Sequence, residues 1–218
     1  MPPIVSIVGK SKSGKTTLIE KLIGELTSRG YQVATIKHTP RGMTFDEPDK
    51  DSWRHIQAGS GATIITSPDK IVLIKPVAKE ITLDEVARLF GEDCDIILTE
   101  GFKHDGAPKI EVHRRKVGPP LSNIKKLFAI VTDEPLETKA RQFSLDDIKG
   151  LADLLEKGFI EPQRERTSLY VNSVPIVLTT WPKQVISKVL LAMVSSLKGV
   201  EEVRSLDIFL RRQPKQDK

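Results

Sequence analysis

The feature that most restricts the fold is the octapeptide GKSKSGKT at residues 9–16, which lies between two different hydrophobic patterns. Residues 3–8 read PIVSIV, a β-branched apolar run typical of a strand buried on both faces. Beyond the octapeptide, apolar residues recur at the spacing of one helix face: Leu18, Ile19, Leu22, Ile23 and Leu26. The order strand, glycine-rich turn, helix predicts the first unit of a mainly parallel α/β sheet.

The octapeptide satisfies G-x-x-x-x-G-K-[ST], the pattern of a phosphate-binding P-loop. Backbone amides and the helix N-terminus would converge on phosphate oxygens, and Gly14 would allow a close backbone approach. Lys15 would reach the β- and γ-phosphates, and the hydroxyl of Thr16 would bind Mg²⁺. The predicted nucleotide-binding residues are Gly9, Lys10, Ser11, Lys12, Ser13, Gly14, Lys15, Thr16 and Thr17. The alternative is a Ser/Gly-rich turn that only caps a helix, with Lys10 and Lys12 as solvated lysines.

An acidic residue completes the predicted site. The segment CDIILTEGF, residues 94–102, reads as an apolar strand ending in Glu100. Its carboxylate would project at the carboxyl edge of a parallel sheet, where ligands collect. We therefore predict Lys15, Thr16 and Glu100 as the catalytic residues; an ordinary strand-end charge is the alternative for Glu100.

A long polar loop, residues 37–59, follows the second predicted strand at the same sheet edge. Its aspartates are candidates for approaching the metal or the γ-phosphate: Asp46, Asp49 and Asp51. With Asp46 included, the predicted metal ligands are Thr16, Glu100 and Asp46. Asp51 has an equal claim to be a helix N-cap. The loop's cations are candidates for holding a second anion: Lys37, His38, Arg41 and Arg54.

Other segments extend the α/β pattern. Strands are expected at residues 31–37, 62–66, 70–75, 94–100, 109–113 and 127–132, and the runs on either side of the SPD turn should form an antiparallel hairpin. Thr82 with Glu85, and Ser144 with Asp147, have capping-box spacing before helical segments. The predicted fold is α/β: a P-loop NTPase-like, mainly parallel sheet flanked by helices, with a small C-terminal α+β extension.

The domain boundaries follow from a change in pattern near Phe159. We predict a nucleotide-binding domain at residues 1–158 and a small extension at residues 159–210, followed by a disordered tail at residues 211–218. Within the extension, the patterns predict a hairpin turning at Asn172 and Ser173, then a helix, then a last strand at residues 203–210.

Composition limits the classes of partner and compartment. The 218 residues carry 34 Lys and Arg against 29 Asp and Glu, a net charge of +5 that suits anionic ligands but is too mild to indicate nucleic acid. Aromatic residues make up only 5%, and no base-stacking motif accompanies the HRRK run. A single cysteine, Cys94, and the lack of a leader or an apolar span favour a cytoplasmic protein without a membrane partner.

Several motifs together resemble one family. In chain order they are GKSKSGKTTLIEKL, RGYQVATIKHT, FDEPDKDSWRHIQAG, DIILTEGFKH and PKIEVHR. This combination resembles the molybdopterin-guanine dinucleotide biosynthesis protein B family, MobB, up to about Lys157. The resemblance implies a GTP-binding, usually dimeric adapter with weak GTPase activity, using GTP and Mg²⁺. It implies partners among molybdenum-cofactor proteins, including the guanylyltransferase that attaches GMP to molybdopterin, and contact with molybdopterin itself.

One departure from the family pattern affects the acidic loop. Where members often have D-x-P-G-K-D, this chain reads DEPDKD, with Asp49 in place of glycine. Guanine preference is inherited from the resemblance, because the chain has no N-K-x-D motif; Asp133 is a candidate for contacting a guanine edge or a plain loop residue.

Three functional hypotheses stay open from the sequence. The first is a GTP-binding adapter that hydrolyses GTP slowly, since no general base stands out. The second is an ATP-dependent kinase or ligase of similar fold acting on a small metabolite, and the third is an interaction module with a vestigial loop. Four cations in or beside the motifs DIILTEGFKH and PKIEVHR are candidates for binding a second anion, such as the pterin phosphate. The alternative is that they form a solvated basic face: Lys103, Lys109, Arg114 and Arg115.

Overall fold

The computed structural model describes residues 1–39, 46–163, 166–172, 174–203 and 205–210. The predicted anion ligand Arg41 and the tail predicted to be disordered, residues 211–218, lie outside the described residues. The chain divides into two compact units, Met1–Glu165 and Arg166–Lys218. The boundary predicted after residue 158 lies a few residues before this division.

A six-stranded sheet forms the centre of the first unit, and every pairing in it is parallel. Its strands are β1 (Ile4–Val8), β2 (Val33–Lys37), β5 (Ile96–Glu100), β6 (Lys109–Val112), β7 (Leu127–Thr132) and β8 (Arg141–Ser144). They lie in the order β2-β5-β1-β6-β7-β8. The predicted α/β fold with a mainly parallel sheet is confirmed.

Helices cover both faces of this sheet. On one face, the core joins β1 to the helices α1 (Lys15–Ser28) and α4 (Ile148–Leu155) through fully buried side chains such as Ile7, Leu22 and Leu151. On the other face, helix α3 (Leu83–Ala87) packs against Ile97 of β5. The predicted capping box of Thr82 and Glu85 is present and starts α3. Helix α2 (Asp51–Gln57) lies inside residues 37–59, so the segment predicted to be one long polar loop contains a short helix.

A separate hairpin confirms the antiparallel pair predicted around the SPD turn. Strands β3 (Thr63–Thr66) and β4 (Ile71–Ile74) pair with each other as a two-stranded sheet. Ile64 and Ile71, which share one face of the hairpin, are 61% and 74% exposed. A hairpin of two strands is marginally stable by itself, so these exposed apolar side chains suit a contact surface.

The last strand of the main sheet, β8, was not predicted from the sequence. Its residues Arg141–Ser144 are mostly exposed and polar, because β8 is an edge strand and needs no continuous apolar run. Ser144 therefore ends a strand, and the expectation that it caps the following helix was wrong. Asp147 is the N-cap of α4 instead, and its side chain accepts a hydrogen bond from the backbone N–H of Gly150 at 3.0 Å.

The second unit contains the predicted hairpin and helix. Strands β9 (Leu169–Val171) and β10 (Val174–Ile176) pair antiparallel, and helix α5 spans Thr180–Ser195. The predicted last strand was wrong, because the described part of residues 203–210 forms no strand. Alternating apolar residues favour a strand, but a strand forms only when it pairs with another one, and within the described residues no strand pairs with this segment.

No helix within the described ranges of the chain is long and apolar enough to cross a membrane.

Candidate functional site

The loop between β1 and α1 has the backbone of a phosphate cradle. Gly9 and Gly14 have φ of 152° and 98°, conformations that favour glycine. A Cβ on Gly9 would lie 2.5 Å from the carbonyl oxygen of Val112, so no other residue fits there without a shift. Gly14 is the N-cap of α1, which points the free amides of the first helical turn at the cradle.

Ser13 gives a specific sign of a missing partner in this loop. The residue is 1% exposed, and its hydroxyl Oγ has no hydrogen-bond partner among the described residues. A buried hydroxyl without a partner is costly, so such groups in native structures call for an explanation. A phosphate in the loop would supply acceptors for this hydroxyl and for the helix amides.

Lys15 already reaches across the loop. Its ammonium Nζ donates a hydrogen bond to the carbonyl oxygen of Lys10 at 2.9 Å. Burial lowers the pKa of Lys15 most; nearby Glu100 raises it, and Lys103 and Lys37 lower it further. The charges of Glu100, Lys103 and Lys37 thus all act on the ammonium of Lys15.

Thr16 and Glu100 are brought into direct contact. The hydroxyl of Thr16 donates a hydrogen bond to Glu100 Oε2 at 3.1 Å. This contact is possible because β5 pairs with β1, which places Glu100 beside Ile7, just before the loop. A hydroxyl and a carboxylate at this spacing fit Mg²⁺, which is usually held by one or two protein oxygens together with substrate phosphates. The donor set therefore fits the predicted ion.

The structure shows contacts for two of the three aspartates that were predicted to approach the metal or the γ-phosphate. Asp46 Oδ1 accepts a hydrogen bond from the hydroxyl of Ser52 at 2.8 Å and so ties the loop to α2; its role as a metal ligand stays a prediction. Asp51 is the first residue of α2 rather than its N-cap, which is Lys50. Within the described ranges, no group of three or more His, Cys, Asp or Glu residues could hold a metal ion.

Asp49 adopts the conformation that the family's glycine would favour. Its φ is 68°, in the left-handed region. Aspartate tolerates this region better than most residues because its short polar side chain can bond locally. The departure from the family pattern thus preserves a glycine-like turn.

A cavity of about 120 Å³ opens on the other side of the loop, towards β6. Gly14, Thr17 and Arg114 line it, and the Arg114 Nε–H group donates to the carbonyl oxygen of Ser13 at 3.3 Å. Lys21 and Asp146 close it with an ion pair of 3.0 Å. Lys21 was missed by the sequence analysis, although it lies one helical turn after Thr17 and could have been found by that spacing.

A larger open cavity, of about 480 Å³, shares Leu145 and Asp146 with the first one. It is lined by residues 132–135, after β7, and residues 142–146, at the end of β8. Its lining includes Asp133, Glu134 and Gln142, and each already has a partner in the protein: Arg115 N–H, His113 Nε2 and Leu136 N–H, respectively. The two cavities are thus neighbours, with Leu145 and Asp146 in both linings.

The structure distinguishes between the residues that were predicted to bind a second anion. Lys109 is fully buried and donates to Asp105 Oδ1 at 3.1 Å, so it stabilises its own loop and cannot reach a solvent-borne anion. Asp133 Oδ1 accepts the backbone N–H of Arg115 at 2.8 Å, which lowers the pKa of Asp133. Lys37, in contrast, is exposed at the end of the outermost strand β2, with its Nζ 3.9 Å from Glu100 Oε2.

Glu111, near the end of β6, was also missed by the sequence analysis. It is 1% exposed, and its Oε1 accepts the backbone N–H of Leu121 at 2.7 Å. Burial raises the pKa of this carboxyl, while its hydrogen bond to Leu121 and the charges of His113, Lys10 and Lys103 act against the rise. No local sequence pattern distinguishes such a glutamate from an exposed one on an alternating strand.

Comparisons with known proteins agree on one family. A family profile described as MobB, molybdopterin guanine dinucleotide synthesis protein B, matches residues 4–133. The molybdopterin-guanine dinucleotide biosynthesis adapter protein of Haemophilus influenzae is 38% identical over 156 residues, covering 71% of this chain and 88% of that protein. The protein of the same description from Escherichia coli strain K12 is 34% identical over 161 residues, covering 71% and 92%.

A solved structure gives the same result in three dimensions. A crystal structure described as molybdopterin-guanine biosynthesis protein B superposes with a TM-score of 0.55 and 30% identity. The superposition covers 71% of this chain and 97% of the other.

Proposed function

Because this chain belongs to the molybdopterin-guanine dinucleotide synthesis protein B family, MobB, we propose that it is an adapter in molybdopterin-guanine dinucleotide biosynthesis that works by binding GTP with Mg²⁺. Its partners in this role are other molybdenum-cofactor proteins, with the guanylyltransferase first among them. Molybdopterin is the further ligand that such a complex would bring close to the nucleotide.

The observation that carries the nucleotide part of the proposal is the hydrogen bond between Thr16 and Glu100. It joins the last residue of the phosphate motif to an acid on the neighbouring parallel strand, as a magnesium nucleotide requires. Lys15 and the loop amides would hold the β- and γ-phosphates, and Ser13 Oγ would gain the acceptor that it now lacks.

The positions of the cavities support one orientation of the nucleotide, with its γ-phosphate towards β5 and its nucleoside towards β7 and β8. Thr16 and Glu100 mark the side of the loop towards β5, where the γ-phosphate and the ion belong. The opposite side carries the cavity beside Arg114 and the neighbouring cavity at the ends of β7 and β8, and we propose that the nucleoside lies there. The preference for GTP over ATP rests on the resemblance to the MobB family.

We propose that hydrolysis is a slow secondary activity. Water would attack the γ-phosphorus and the oxygen bridging the β- and γ-phosphates would leave, giving GDP and phosphate. Lys15 would stabilise the developing charge, and Mg²⁺ supplies electrostatic stabilisation when it is bound between Thr16 and Glu100. Glu100 is committed to Thr16 and the ion, so it is poorly placed to act as a base on water.

The proposal is tested by the magnesium dependence of GTP binding. We expect calorimetry to show tighter binding of GTP when Mg²⁺ is present, and tighter binding of GTP than of ATP. In Glu100→Gln, a charge-assisted contact becomes a neutral one, so the effect of Mg²⁺ on GTP affinity should fall about tenfold. Glu20→Gln, an exposed change on α1, should leave it unchanged.

Two results would contradict this function. Equal binding of ATP and GTP, with transfer of phosphate to a metabolite, would favour the kinase or ligase hypothesis. A Glu100→Gln variant with the full magnesium effect would remove Glu100 from the site.

We also propose that the protein is a homodimer formed through the β3–β4 hairpin. Ile64, Ile71 and Leu73 present an apolar face with unpaired strand edges, which a second copy can cover symmetrically. Sedimentation should give about twice the chain mass of 24.3 kDa, and the double variant Ile64→Lys with Ile71→Lys should sediment as a folded monomer. Leu89→Lys, which changes an exposed apolar residue outside the hairpin, should stay dimeric; a monomeric wild-type protein would refute the proposal.

A further inference from the structure

We propose that Lys37 and Lys103 form a second anion site, beside the phosphate loop, which binds the phosphate group of a second ligand. The inference rests on the proposed function, because it takes the loop itself to be filled by the nucleotide. It selects one lysine from each of the two sets of cations that the sequence offered for a second anion.

Lys37 is placed by the strand order. It ends β2, and β5 separates β2 from β1, which carries the phosphate loop. Adjacent strands are about 4.8 Å apart, so the end of β2 lies about 10 Å to the side of β1. This spacing applies to the backbone; the ammonium of Lys37 extends back towards the loop, where its Nζ lies 3.9 Å from Glu100 Oε2. An anion held by Lys37 would therefore be a neighbour of the ion and the phosphate at Thr16 and Glu100.

The two lysines are mounted on loops that pack against each other. His38 follows Lys37, and its backbone N–H donates to the carbonyl oxygen of Glu100 at 3.1 Å. The ring of His38 also contacts the ring of Phe102, which precedes Lys103, with centroids 4.8 Å apart. The ends of β2 and β5 are thus fixed relative to each other, with one lysine next to each ring.

The loop after β5 holds an unusual backbone. Gly101 has φ of 106° and Phe102 has φ of 52°, and a bulky residue is rarely found in this left-handed region. Such conformations persist when the surroundings enforce them, and they concentrate at functional sites. Lys103 follows directly after these two residues, in the turn between β5 and β6.

The charges at this edge are unbalanced towards the positive. Burial is the largest cause that lowers the pKa of Lys15; Glu100 raises it, and the charges of Lys103 and Lys37 lower it further. Lys37 is 66% exposed and is the cation of the set nearest to Glu100, at 3.9 Å. An ion bound between Thr16 and Glu100 would take over that carboxylate, which would leave the ammonium of Lys37 to an anion from solution.

The chemistry of the site fits a phosphate dianion. Two ammonium groups on separate rigid loops provide donors and charge, and phosphate is a ligand that lysine commonly binds as a point charge. The source could be a phosphate monoester, as on a second substrate, or free phosphate released by hydrolysis. Both carry the same recognised group.

The test uses the full chain with its loop filled. Protein saturated with Mg²⁺ and a nonhydrolysable GTP analogue is titrated with methyl phosphate and, separately, with inorganic phosphate, and binding is followed by phosphorus NMR. We expect both probes to bind the wild type and to bind the double variant Lys37→Met with Lys103→Met at least tenfold more weakly. The affinity for the GTP analogue should change less than threefold. Tighter binding of methyl phosphate supports an ester ligand, and tighter binding of inorganic phosphate supports product retention.

A matched control is the pair Lys70→Met with Lys79→Met, two exposed lysines elsewhere, which should leave phosphate binding unchanged. The inference is overturned if the wild type binds neither probe, or if the double variant binds both probes as tightly as the wild type does. It is also overturned if the affinity for the GTP analogue falls tenfold in the double variant, because both lysines would then belong to the nucleotide site.

A titration in a Lys15→Met background without nucleotide keeps this inference separate from the proposed function. If the wild type fails to bind the GTP analogue, the proposed function fails. With Mg²⁺ present to occupy Glu100, phosphate binding that still depends on Lys37 and Lys103 in this background would support the second site, and its absence there would overturn it.

Discussion

Lys15→Met should bind GTP on the order of 100-fold more weakly than the wild type. The ammonium of Lys15 is half-buried and already spans the loop to the carbonyl oxygen of Lys10, so it is preorganised to meet phosphate oxygens. Losing charge-assisted hydrogen bonds to two phosphates costs about 3 kcal/mol, which corresponds to this change in affinity. Methionine keeps most of the side-chain volume, so calorimetry with GTP and Mg²⁺ reports the lost charge.

The control for this prediction is Lys149→Met, which removes an exposed lysine from α4. It should leave GTP affinity within a factor of two. A Lys15→Met protein that is folded, as judged by circular dichroism, and still binds GTP normally would show that the loop is not a phosphate grip. If such a variant also supported cofactor synthesis in cells, the protein would be an interaction module with a vestigial loop, and the hypothesis of an adapter that binds nucleotide would be wrong.

Gly9→Ala should destabilise the fold by about 2–3 kcal/mol and also abolish GTP binding. The new Cβ would lie 2.5 Å from the carbonyl oxygen of Val112 and 2.7 Å from Ser13 Oγ, and a backbone carbonyl in a central strand cannot move aside cheaply. The φ of 152° at Gly9 adds strain for any residue with a side chain. Urea unfolding measures the loss of stability, and calorimetry measures the loss of binding.

Gly24→Ala is the matched control for this substitution. Gly24 lies inside α1, and a Cβ there would meet nothing within 4 Å. Alanine is favoured over glycine in a helix interior, so this variant should be more stable than the wild type by roughly 0.5–1 kcal/mol. Equal effects of the two substitutions would mean that Gly9 has no special role in the loop.

The parts of the fold that follow from local patterns were predicted well. The helical spacing after Thr16 gave α1, and Gly30 has φ of 90° directly after its C-cap residue Arg29, as expected for a C-terminal cap. The capping box at Thr82 and the hairpin around the SPD turn are also local signals, and the structure confirms both.

The errors arose where a segment's structure depends on its neighbours. Residues 141–144 form a strand because β7 offers them a free edge, although their own sequence is polar. Residues 205–210 alternate in polarity as a strand would, yet no strand forms there. Lys109 looked like a surface cation, but β6 is buried on both faces and turns its side chain into a hydrogen-bonded pocket of its own loop.

The sequence by itself determined the glycine-rich loop at residues 9–16, the helix that follows it and the acid at the end of β5, because each depends on residues close together in the chain. The tertiary structure decided which distant groups meet: β5 beside β1 joins Glu100 to Thr16, and β2 beside β5 brings Lys37 to Glu100. Strand order is set by packing across the whole sheet, and no local spacing encodes it. For the same reason, only the folded chain separates Lys37 and Lys103 from Lys109, a lysine that the sequence presents as their equal.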